Sequence, residues 1–405
     1  MHDVIVVGAR CAGAATAMLL ARAGARVLLL DRATLPSDIP HGHFIHRHGP
    51  RRLRDWGLLD AVLATGCPPV TEMTMGLGDP VVTGTELAVD GVPAGLGPRR
   101  DRLDAVLAGA AVAAGAELRD GFAVDELARD GERVTGVRGR GARGGRPATE
   151  RAAVVVGADG RNSGVARAVG ATAVESAPTL ACWYFSYWSG VPQRGLEMYV
   201  RSERAIFAFP TNDELLAVFV AWPIAELPGV RADLERRFAA VLELAPELAE
   251  RIRGGRREER FYGATQLPNF VRRAHGPGWA LVGDAGCHKD PLMALGICDG
   301  LRDAELLAGA LAEGLAGRTG LDGALAGYER RRTEATLPEY RENLEAARLQ
   351  PPPDQVARLL AALPDRPEDA RHFYLAREGM VPPESFFGED NLRRIVMAGA
   401  AARAD

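Results

Sequence analysis

No stretch of this chain has the roughly 18 consecutive apolar residues that a membrane-spanning helix requires, so no transmembrane segment is predicted. A strand pattern begins within the first four residues, which leaves no room for a signal peptide and predicts a cytoplasmic location. The cysteines are few and scattered, at Cys11, Cys67, Cys182, Cys287 and Cys298. Their spacing favours neither a disulfide framework nor a structural zinc site.

The chain also lacks an excess of basic residues. Its 49 Lys and Arg are outweighed by 53 Asp and Glu, which gives a net charge of −4. Without a basic field, nucleic acid is not expected as a main partner. A hydrophobic content of 47% and a charged content of 25% are ordinary for a folded protein, and 405 residues suffice for two or more domains.

The N-terminal segment has the order strand, glycine turn, helix, strand, acid. Residues 3–8 are a β-branched run typical of a buried parallel strand, and an alanine-rich helix follows the turn. A second strand over residues 26–30 leads to an acidic residue about 20 positions after the turn, where a carboxylate can bind a ribose. The pattern predicts a dinucleotide-binding βαβ unit with contacts from Gly8, Ala9, Arg10, Cys11, Ala12, Gly13, Asp31 and Arg32.

Arg10 departs from the usual glycine fingerprint. The middle glycine normally lets a pyrophosphate approach the backbone, and Arg10 stands in its place. We expect the guanidinium to fold over the phosphate as a charge-assisted clamp. The alternatives are a phosphate that sits further out, or a helix start that binds no nucleotide.

A later segment combines a strand, a carboxylate and a helix start. The strand ends at Gly283-Asp284, and Pro291 precedes a helix that is predicted to begin near Leu295-Gly296-Ile297. A carboxylate at residue 284 suits a ribityl hydroxyl. Helix-start N–H groups suit the N1–C2 edge of a flavin, where negative charge gathers on reduction. With the first unit, this segment predicts bound FAD.

These motifs resemble those of the group A FAD-dependent monooxygenases, the para-hydroxybenzoate hydroxylase-like superfamily, which includes natural-product tailoring hydroxylases. The resemblance covers most of the cofactor domain. It implies further cofactor contacts at Arg100, in an Arg-x-x-Leu helix start, at Val124 beside the adenine, and at Asp159 in an Asp-Gly turn. The chain departs from the family at residues 294–295, where Gly-Gln is frequent, and at Cys298, where Asn is frequent.

The resemblance implies an α/β fold in which a Rossmann-like FAD-binding domain carries an inserted mixed β-sheet substrate domain and a helical C-terminal region. The expected boundaries are residues 1–75, 98–175 and 263–345 for the FAD-binding domain, 76–97 and 176–262 for the substrate domain, and 346–405 for the helical region.

The resemblance also implies a reaction. NADPH or NADH, bound transiently, reduces FAD; O2 adds at flavin C4a; and the hydroperoxide transfers one oxygen atom to a small organic substrate of aromatic or polyketide-like kind. Hydroxylation, epoxidation and Baeyer–Villiger insertion all remain open, as do the substrate, the choice of nicotinamide and the oligomeric state.

A histidine-rich loop over residues 41–48 supplies the candidate catalytic residue, His43. The loop after the second strand commonly approaches the flavin or the substrate in such folds. A histidine there can act as base to a phenol or steady the hydroperoxide. A plain surface loop is an equal alternative, and a metal site is not favoured because no cysteine or acid accompanies the four histidines.

Residues 179–222 form an aromatic, strand-like stretch. Such a sheet can be the roof of a substrate pocket or simply a sheet core, and the composition does not separate the two. The candidate substrate-binding residues are Trp183, Phe185, Phe209 and Trp222.

Local patterns outside the motifs give further expectations. The apolar spacing predicts one helix over residues 50–64, strands with two turns over residues 71–92, and a solvated loop over residues 139–147. Residues beyond 309 are predicted to be mostly helical, with an interruption at the three prolines 351–353.

Three other functions remain possible from the sequence. A flavin-dependent halogenase shares the fold, but its expected Trp-x-Trp-x-Ile-Pro signature is absent and residues 220–224 echo it only in part. The others are a reductase of the geranylgeranyl reductase type and a non-catalytic flavin-binding sensor. Cys287 and His288 leave covalent flavin attachment open, although small buried cysteines are usually packing residues.

Overall fold

The computed structural model describes residues 1–37, 41–141 and 145–401, with side chains up to residue 397. Within those ranges, no helix combines the length and the apolar character needed to cross a membrane. Part of the loop predicted over residues 139–147 and the last four residues of the predicted helical region lie outside the described residues.

The strands of the described ranges are, in chain order, β1 (His2–Val7), β2 (Val27–Leu30), β3 (Ile45–His46), β4 (Pro69–Val70), β5 (Met73–Leu77), β6 (Val81–Gly84), β7 (Gly95–Leu96), β8 (Glu117–Arg119), β9 (Phe122–Asp130), β10 (Arg133–Gly141), β11 (Ala148–Gly157), β12 (Ala173–Ala177), β13 (Ala181–Ser189), β14 (Leu196–Arg201), β15 (Arg204–Pro210), β16 (Leu216–Pro223), β17 (Arg256–Arg257), β18 (Tyr262–Ala264), β19 (Asn269–Arg272), β20 (His275–Gly276), β21 (Trp279–Leu281) and β22 (Cys287–His288).

The α-helices are α1 (Cys11–Arg22), α2 (Gly49–Asp55), α3 (Leu59–Leu63), α4 (Arg100–Ala113), α5 (Gly164–Ala168), α6 (Leu227–Ala232), α7 (Leu234–Leu242), α8 (Pro246–Arg253), α9 (Gly296–Leu315), α10 (Leu321–Ala346), α11 (Asp354–Ala361), α12 (Pro367–Arg377), α13 (Glu384–Phe387) and α14 (Glu389–Ala401). Short 3₁₀ turns occur at Asn212–Glu214, Ile224–Glu226, Gly283–Ala285 and Pro291–Met293.

The first large sheet has the strand order β20-β21-β11-β1-β2-β8, with β9 and β10 attached through β11. Strand β1 pairs in parallel with both β2 and β11. Its residues Val4, Ile5 and Val6 are fully buried, because side chains pack on both faces of the sheet. Helices α1 and α9 share the core on one of these faces, so the predicted βαβ unit is confirmed.

The second large sheet has the order β17-β13-β16-β15-β14-β5-β6, with β18 beside β13. Alternate residues along its strands belong to two separate cores. One core includes residues of the C-terminal helices, and the other includes residues of α7 and α8. Both faces of this sheet are therefore covered.

Some element bounds differ from those expected. The single helix predicted over residues 50–64 is wrong, because Gly57 adopts a φ of +72° and separates α2 from α3. Strand β5 begins at Met73, before the predicted domain boundary at residue 76, and α10 runs to Ala346. The division into domains stays a prediction.

The C-terminal helices pack on the end of the second sheet. The Tyr374 hydroxyl on α12 donates a hydrogen bond of 2.9 Å to the carbonyl of Val82 on β6. A Cβ placed on Gly84 would overlap the ring of Tyr374, so the glycine lets helix and strand approach closely. Leu363, Phe386 and other apolar residues of this region complete the same core.

A buried ion network ties the segment that follows β22 to α9 and α10. Lys289, the chain's single lysine, lies 2.6 Å from the Asp299 carboxylate. Arg302 lies 3.0 Å from Asp299 on the same helix. Arg332 on α10 pairs with Asp303 at 3.0 Å, and both side chains have at most 1% of their surface exposed. These charges stabilise one another only while every partner is present.

We predict that Asp303→Asn lowers the free energy of unfolding by about 3 kcal/mol, because the buried Arg332 charge loses its partner. The measurement is the urea-unfolding midpoint at pH 7. Glu126→Gln is the control, since Glu126 and Arg138 form a pair with 59% of each side chain exposed, and such pairs contribute little. Equal midpoints for the two variants would contradict the prediction.

Candidate functional site

The turn after β1 brings the start of α1 against the end of the strand. Gly8 has a φ of +106°, a conformation that favours glycine. A Cβ on Gly13 would overlap the carbonyl oxygen of Gly8, so no other residue fits without a backbone shift. No side chain of the described residues caps the first turn of α1. The first-turn N–H groups are therefore left without a side-chain acceptor, as phosphate binding requires.

Asp31 holds this turn from the second strand. Its carboxylate accepts hydrogen bonds from the backbone N–H of Ala9 at 2.8 Å and of Ala33 at 2.9 Å. Asp31 is buried, whereas the neighbouring Arg32 is exposed. The predicted ribose contact thus comes from an acid whose position is set by the glycine turn.

Two arginines lie beside the turn. Arg10 donates to the Ser37 hydroxyl at 3.0 Å, and burial lowers the pKa of its guanidinium. Arg100, at the start of α4, binds both carboxylate oxygens of Asp104 at 3.1 Å. The Cys11 thiol donates to the same carboxylate at 3.2 Å. Among the described residues, nothing accepts a hydrogen bond from the buried Nε of Arg100, so this donor is available to an anionic ligand.

The Asp-Gly turn after β11 is shaped by its own side chains. The Asp159 carboxylate accepts from the Ser163 hydroxyl at 2.5 Å and from the Gly164 N–H at 2.7 Å. Asp159 therefore organises the start of α5, and its predicted cofactor contact stays a prediction. Val124 is partly buried on β9 opposite Gly139, and its predicted adenine contact also stays a prediction.

The second flavin motif forms a compact turn, here called the flavin turn and defined as residues 290–296. Ala294 has a φ of +50°, and α9 begins two residues later, at Gly296. No side chain of the described residues caps α9. A Cβ on Gly296 would lie 3.9 Å from the Asp284 carboxylate, so Asp284 and the helix start lie side by side. The predicted contacts Pro291 and Leu295 belong to the flavin turn, and Ile297 lies in the first turn of α9.

Basic groups from several elements converge near these turns. Burial is the main reason that the pKa of His41 falls to about 3, and the nearby charges of Arg100, Arg161 and Arg10 act in the same direction. Arg161 follows the Asp-Gly turn, and sequence reasoning missed it. The fit to a dinucleotide is therefore one of shape and charge: two uncapped helix starts, glycine cradles and a set of cations.

His43 is buried, with 1% of its surface exposed. Its Nδ1 lies 3.1 Å from the Gly97 carbonyl, which can only accept, so Nδ1 carries the proton. The unprotonated Nε2 then accepts a hydrogen bond of 3.0 Å from the Tyr187 hydroxyl. Burial, and then the charge of Arg99, lower the pKa of His43 to about 3. The surface-loop alternative is therefore wrong for His43.

His43 lies against an aromatic surface on the second sheet, here called the aromatic face: Trp183, Phe185, Tyr187, Phe207, Phe209 and Phe219. The His43 ring meets Phe209 edge-on at 5.1 Å, and Phe185 stacks on Phe219 at 4.4 Å. Three of the four predicted substrate-binding residues thus share one surface. These contacts are typical of both a pocket wall and a core.

Trp222 does not join the aromatic face. It pairs with Cys182 rather than with Trp183 in the register of β13 and β16, so its side chain points to the opposite side of the sheet. There it packs near Tyr184 and Phe238 and is 1% exposed. The prediction that Trp222 lines the same pocket is wrong.

Asp290 joins the flavin turn to the aromatic face. Its Oδ1 accepts from the Trp183 indole at 3.1 Å and from the Leu292 N–H at 3.1 Å. Among the described residues, its buried Oδ2 has no hydrogen-bond partner. Burial raises the pKa of Asp290 to about 7. Sequence reasoning missed this carboxyl, although an acid directly before Pro291 in a flavin motif is a visible signal.

Cys287 and His288 are packing residues in this structure. Cys287 lies in a small core with Val271 and Tyr340, and burial raises the pKa of its thiol to about 12. His288 lies 2.5 Å from the Pro268 carbonyl through Nδ1. A thiol that stays protonated is a poor nucleophile, so attachment of a flavin through Cys287 is disfavoured.

Comparison with known proteins identifies the cofactor domain. The sequence model of the family described as FAD binding domain matches residues 1–337. No curated protein matches the chain.

Solved structures match over almost the whole chain. The myxobacterial chondrochloren halogenase CndH, an FAD-dependent halogenase, is 19% identical, with a TM-score of 0.76 over 98% of this chain and 96% of its own. PqsL, a probable FAD-dependent monooxygenase from Pseudomonas aeruginosa, is 23% identical, with a TM-score of 0.70 over 92% and 99%. A geranylgeranyl bacteriochlorophyll reductase-like protein from Thermoplasma acidophilum is 19% identical, with a TM-score of 0.75 over 96% and 99%.

At these identities the neighbours show the fold alone. They confirm the predicted α/β architecture. The matched residues 1–337 contain the three turns, the two uncapped helix starts and the converging cations. The chain therefore belongs to the FAD binding domain family.

Proposed function

We propose that this protein is an FAD-dependent monooxygenase that transfers one oxygen atom from O2 to a small aromatic or polyketide-like substrate. NADPH or NADH serves as a transient electron donor. The observation that carries the proposal is the junction of the flavin turn with the aromatic face. There the carboxyl of Asp290, the neutral imidazole of His43 and the phenol of Tyr187 are buried among aromatic rings.

The residues present fit FAD. The start of α1 and Arg100 suit the pyrophosphate, Asp31 suits the ribose, and Asp284 with the start of α9 suits the ribityl chain and the pyrimidine edge. When bound, FAD supplies the electron storage and the reactivity toward O2. The protein supplies position, charge and exclusion of water.

The aromatic face excludes water from the substrate side. All of its six residues have at most 9% of their surface exposed. A dry wall of this kind protects a reactive cofactor from wasteful hydrolysis and strengthens nearby electrostatic interactions. It also favours a flat, unsaturated substrate over a sugar or an amino acid.

The proposed roles of the polar groups follow from their pKa values. A pKa of about 3 makes His43 a poor base near neutral pH, so it orients Tyr187 rather than removing a proton. Asp290, with a pKa of about 7, is matched to proton transfer at neutral pH. Its Oδ1 is occupied by two donors, so the acidic proton sits on the unpartnered Oδ2.

Two other reactions are compatible with the same fold. The halogenase neighbour supports halogenation as a second candidate, and the absence of the full halogenase signature counts against it. The reductase-like neighbour supports reduction of a carbon–carbon double bond. A flavin-binding sensor without turnover is the non-enzymatic alternative.

One experiment separates these functions. The FAD-loaded protein is mixed with NADPH or NADH and with 18O-labelled O2. The probes are a panel of phenols and 2-aminobenzoylacetate, which is bound in a structure of PqsL. The products are analysed by mass spectrometry. We expect nicotinamide to reduce FAD and one labelled oxygen atom to appear in a product. Reduced product without O2 would favour the reductase, and halogenated product with added bromide would favour the halogenase. No product from any probe, even when the bound FAD is reduced chemically beforehand, would favour the sensor.

We predict that Arg100→Met raises the dissociation constant for FAD about tenfold or more, because the buried guanidinium offers an unpaired donor to the pyrophosphate. The measurement is quenching of FAD fluorescence on titration with the apoprotein. Arg102→Met is the control, since Arg102 lies on the same helix with 45% of its side chain exposed. Equal affinities for the two variants would remove Arg100 from the cofactor site.

We predict that turnover falls as pH rises through about 7 and that Asp290→Asn removes this limb, because the acid form of Asp290 donates the proton. The variant should lower kcat about a hundredfold. His43→Asn should leave the limb in place, since His43 stays neutral above pH 3 or so. The measurement is the pH profile of kcat with any substrate found above, and a limb retained in Asp290→Asn would contradict the assignment.

A further inference from the structure

His46, three residues after His43, is held by two hydrogen-bond acceptors. Its Nδ1 lies 2.7 Å from Oε2 of Glu378, and its Nε2 lies 2.9 Å from the carbonyl oxygen of Met293. A carbonyl only accepts, and the carboxylate also accepts from the N–H of Arg47 at 3.1 Å. With Glu378 ionised, both ring nitrogens face acceptors, an arrangement that the imidazolium form of His46 satisfies.

The charge state of Glu378 agrees with this geometry. Burial opposes ionisation of its carboxyl, but the charge and the hydrogen bond of His46 outweigh burial and lower its pKa to about 2. Arg377 and Arg47 act in the same direction. The side chains of His46 and Glu378 are only 6% and 2% exposed, so neither exchanges its partner for water. Buried charge-assisted hydrogen bonds of this kind are strong and directional.

The pair connects three parts of the chain that are far apart in sequence. His46 belongs to β3 in the histidine-rich loop, Glu378 follows the end of α12, and Met293 lies inside the flavin turn. The Cys298 thiol on α9 also donates to the His46 carbonyl at 3.2 Å. His46 therefore contacts the flavin turn and the helix that follows it.

The orientation of the pair gives it an electrostatic direction. The positive imidazolium lies on the side of the flavin turn, and the negative carboxylate lies on the side of the C-terminal helices. The pair is neutral in sum, but its positive end is directed at the residues just before α9. The field of this dipole adds to that of the uncapped helix start.

We propose that His46 and Glu378 are a positioning pair for the flavin turn, which fixes the Met293 carbonyl and favours reduced over oxidised FAD at the start of α9. The proposal rests on the FAD site of the proposed function and needs no substrate. It makes the C-terminal helices part of the cofactor site, because they supply the carboxylate that keeps His46 charged.

The chain contains a matched control for this pair. His275 lies 2.6 Å from Oε2 of Glu329 through Nδ1, and the same oxygen accepts the N–H of Ala274 and of His275. The two pairs thus share their chemistry, since in each a glutamate binds an imidazole and neighbouring backbone N–H groups. This second pair joins the edge strand β20 to α10, away from the flavin turn.

The experiment compares Glu378→Gln with Glu329→Gln. A glutamine keeps the size of the side chain but cannot balance an imidazolium, so the buried histidine gives up a proton and loses one of its two bonds. The measurements are the dissociation constant for oxidised FAD, the two-electron midpoint potential of bound FAD by dye equilibration, and the melting temperature of the apoprotein.

We expect Glu378→Gln to weaken binding of oxidised FAD about tenfold and of reduced FAD about a hundredfold, and the tenfold difference lowers the midpoint potential by about 30 mV. Glu329→Gln should leave both constants within about twofold, even where it lowers the melting temperature. Glu378→Asp keeps the carboxylate, so its midpoint potential should be close to that of the wild type. This variant also provides a test of the pair if Glu378→Gln does not fold.

Two results would overturn the proposal and leave the pair with a purely structural role. One is a midpoint potential that is unchanged in Glu378→Gln, and the other is a midpoint potential that changes equally in Glu329→Gln. Failure of oxygen transfer in a wild-type protein that binds FAD would affect the proposed function alone, because the potential is measured without substrate.

Discussion

The contact between Gly13 and the carbonyl of Gly8 is the constraint on which the rest of this structure depends. It places the first turn of α1 directly over the end of β1, so the free N–H groups of the helix lie beside the turns that follow β11 and β21. Parallel pairing of β1 with β2 and β11 requires these strand ends to meet at one edge. Arg10, Arg100 and Arg161 all lie near His41, whose pKa their charges lower, and so bring positive charge to this region.

The cofactor half of the molecule was largely predictable from the sequence, because short-range patterns determine it. A β-branched run, a glycine turn and an acid at the next strand end specify a βαβ unit without reference to distant residues. The second sheet was less predictable. Both of its faces are buried, so alternation carries no inside-or-outside signal, and the register that turns Trp222 away from Trp183 depends on which elements cover each face. The single helix predicted over residues 50–64 failed at Gly57, whose left-handed conformation outweighed the apolar spacing.

The polar groups of the site were the least predictable, because their properties come from burial rather than from residue type. His43 and His46 are three residues apart, yet one is neutral with a carbonyl and a hydroxyl as partners, and the other is charged with a carboxylate 332 positions away. No local pattern distinguishes them. Asp290 likewise owes its raised pKa to burial, which outweighs the opposite effect of its hydrogen bonds from Leu292 and Trp183. In each case the second sheet or the C-terminal helices supply the environment, and the motif supplies only the side chain.

The single lysine has a practical consequence. Lys289 is ion-paired with Asp299 and has 4% of its side chain exposed, so reagents that acylate side-chain amines find no accessible target in the folded chain. Modification of Lys289 then requires the segment beside the flavin turn to open, and its rate measures how often that opening occurs. The rate of acylation of Lys289 therefore reports local opening of the cofactor site. Arginine side chains do not react with such reagents, so Lys289 is the one side-chain amine that contributes to this rate.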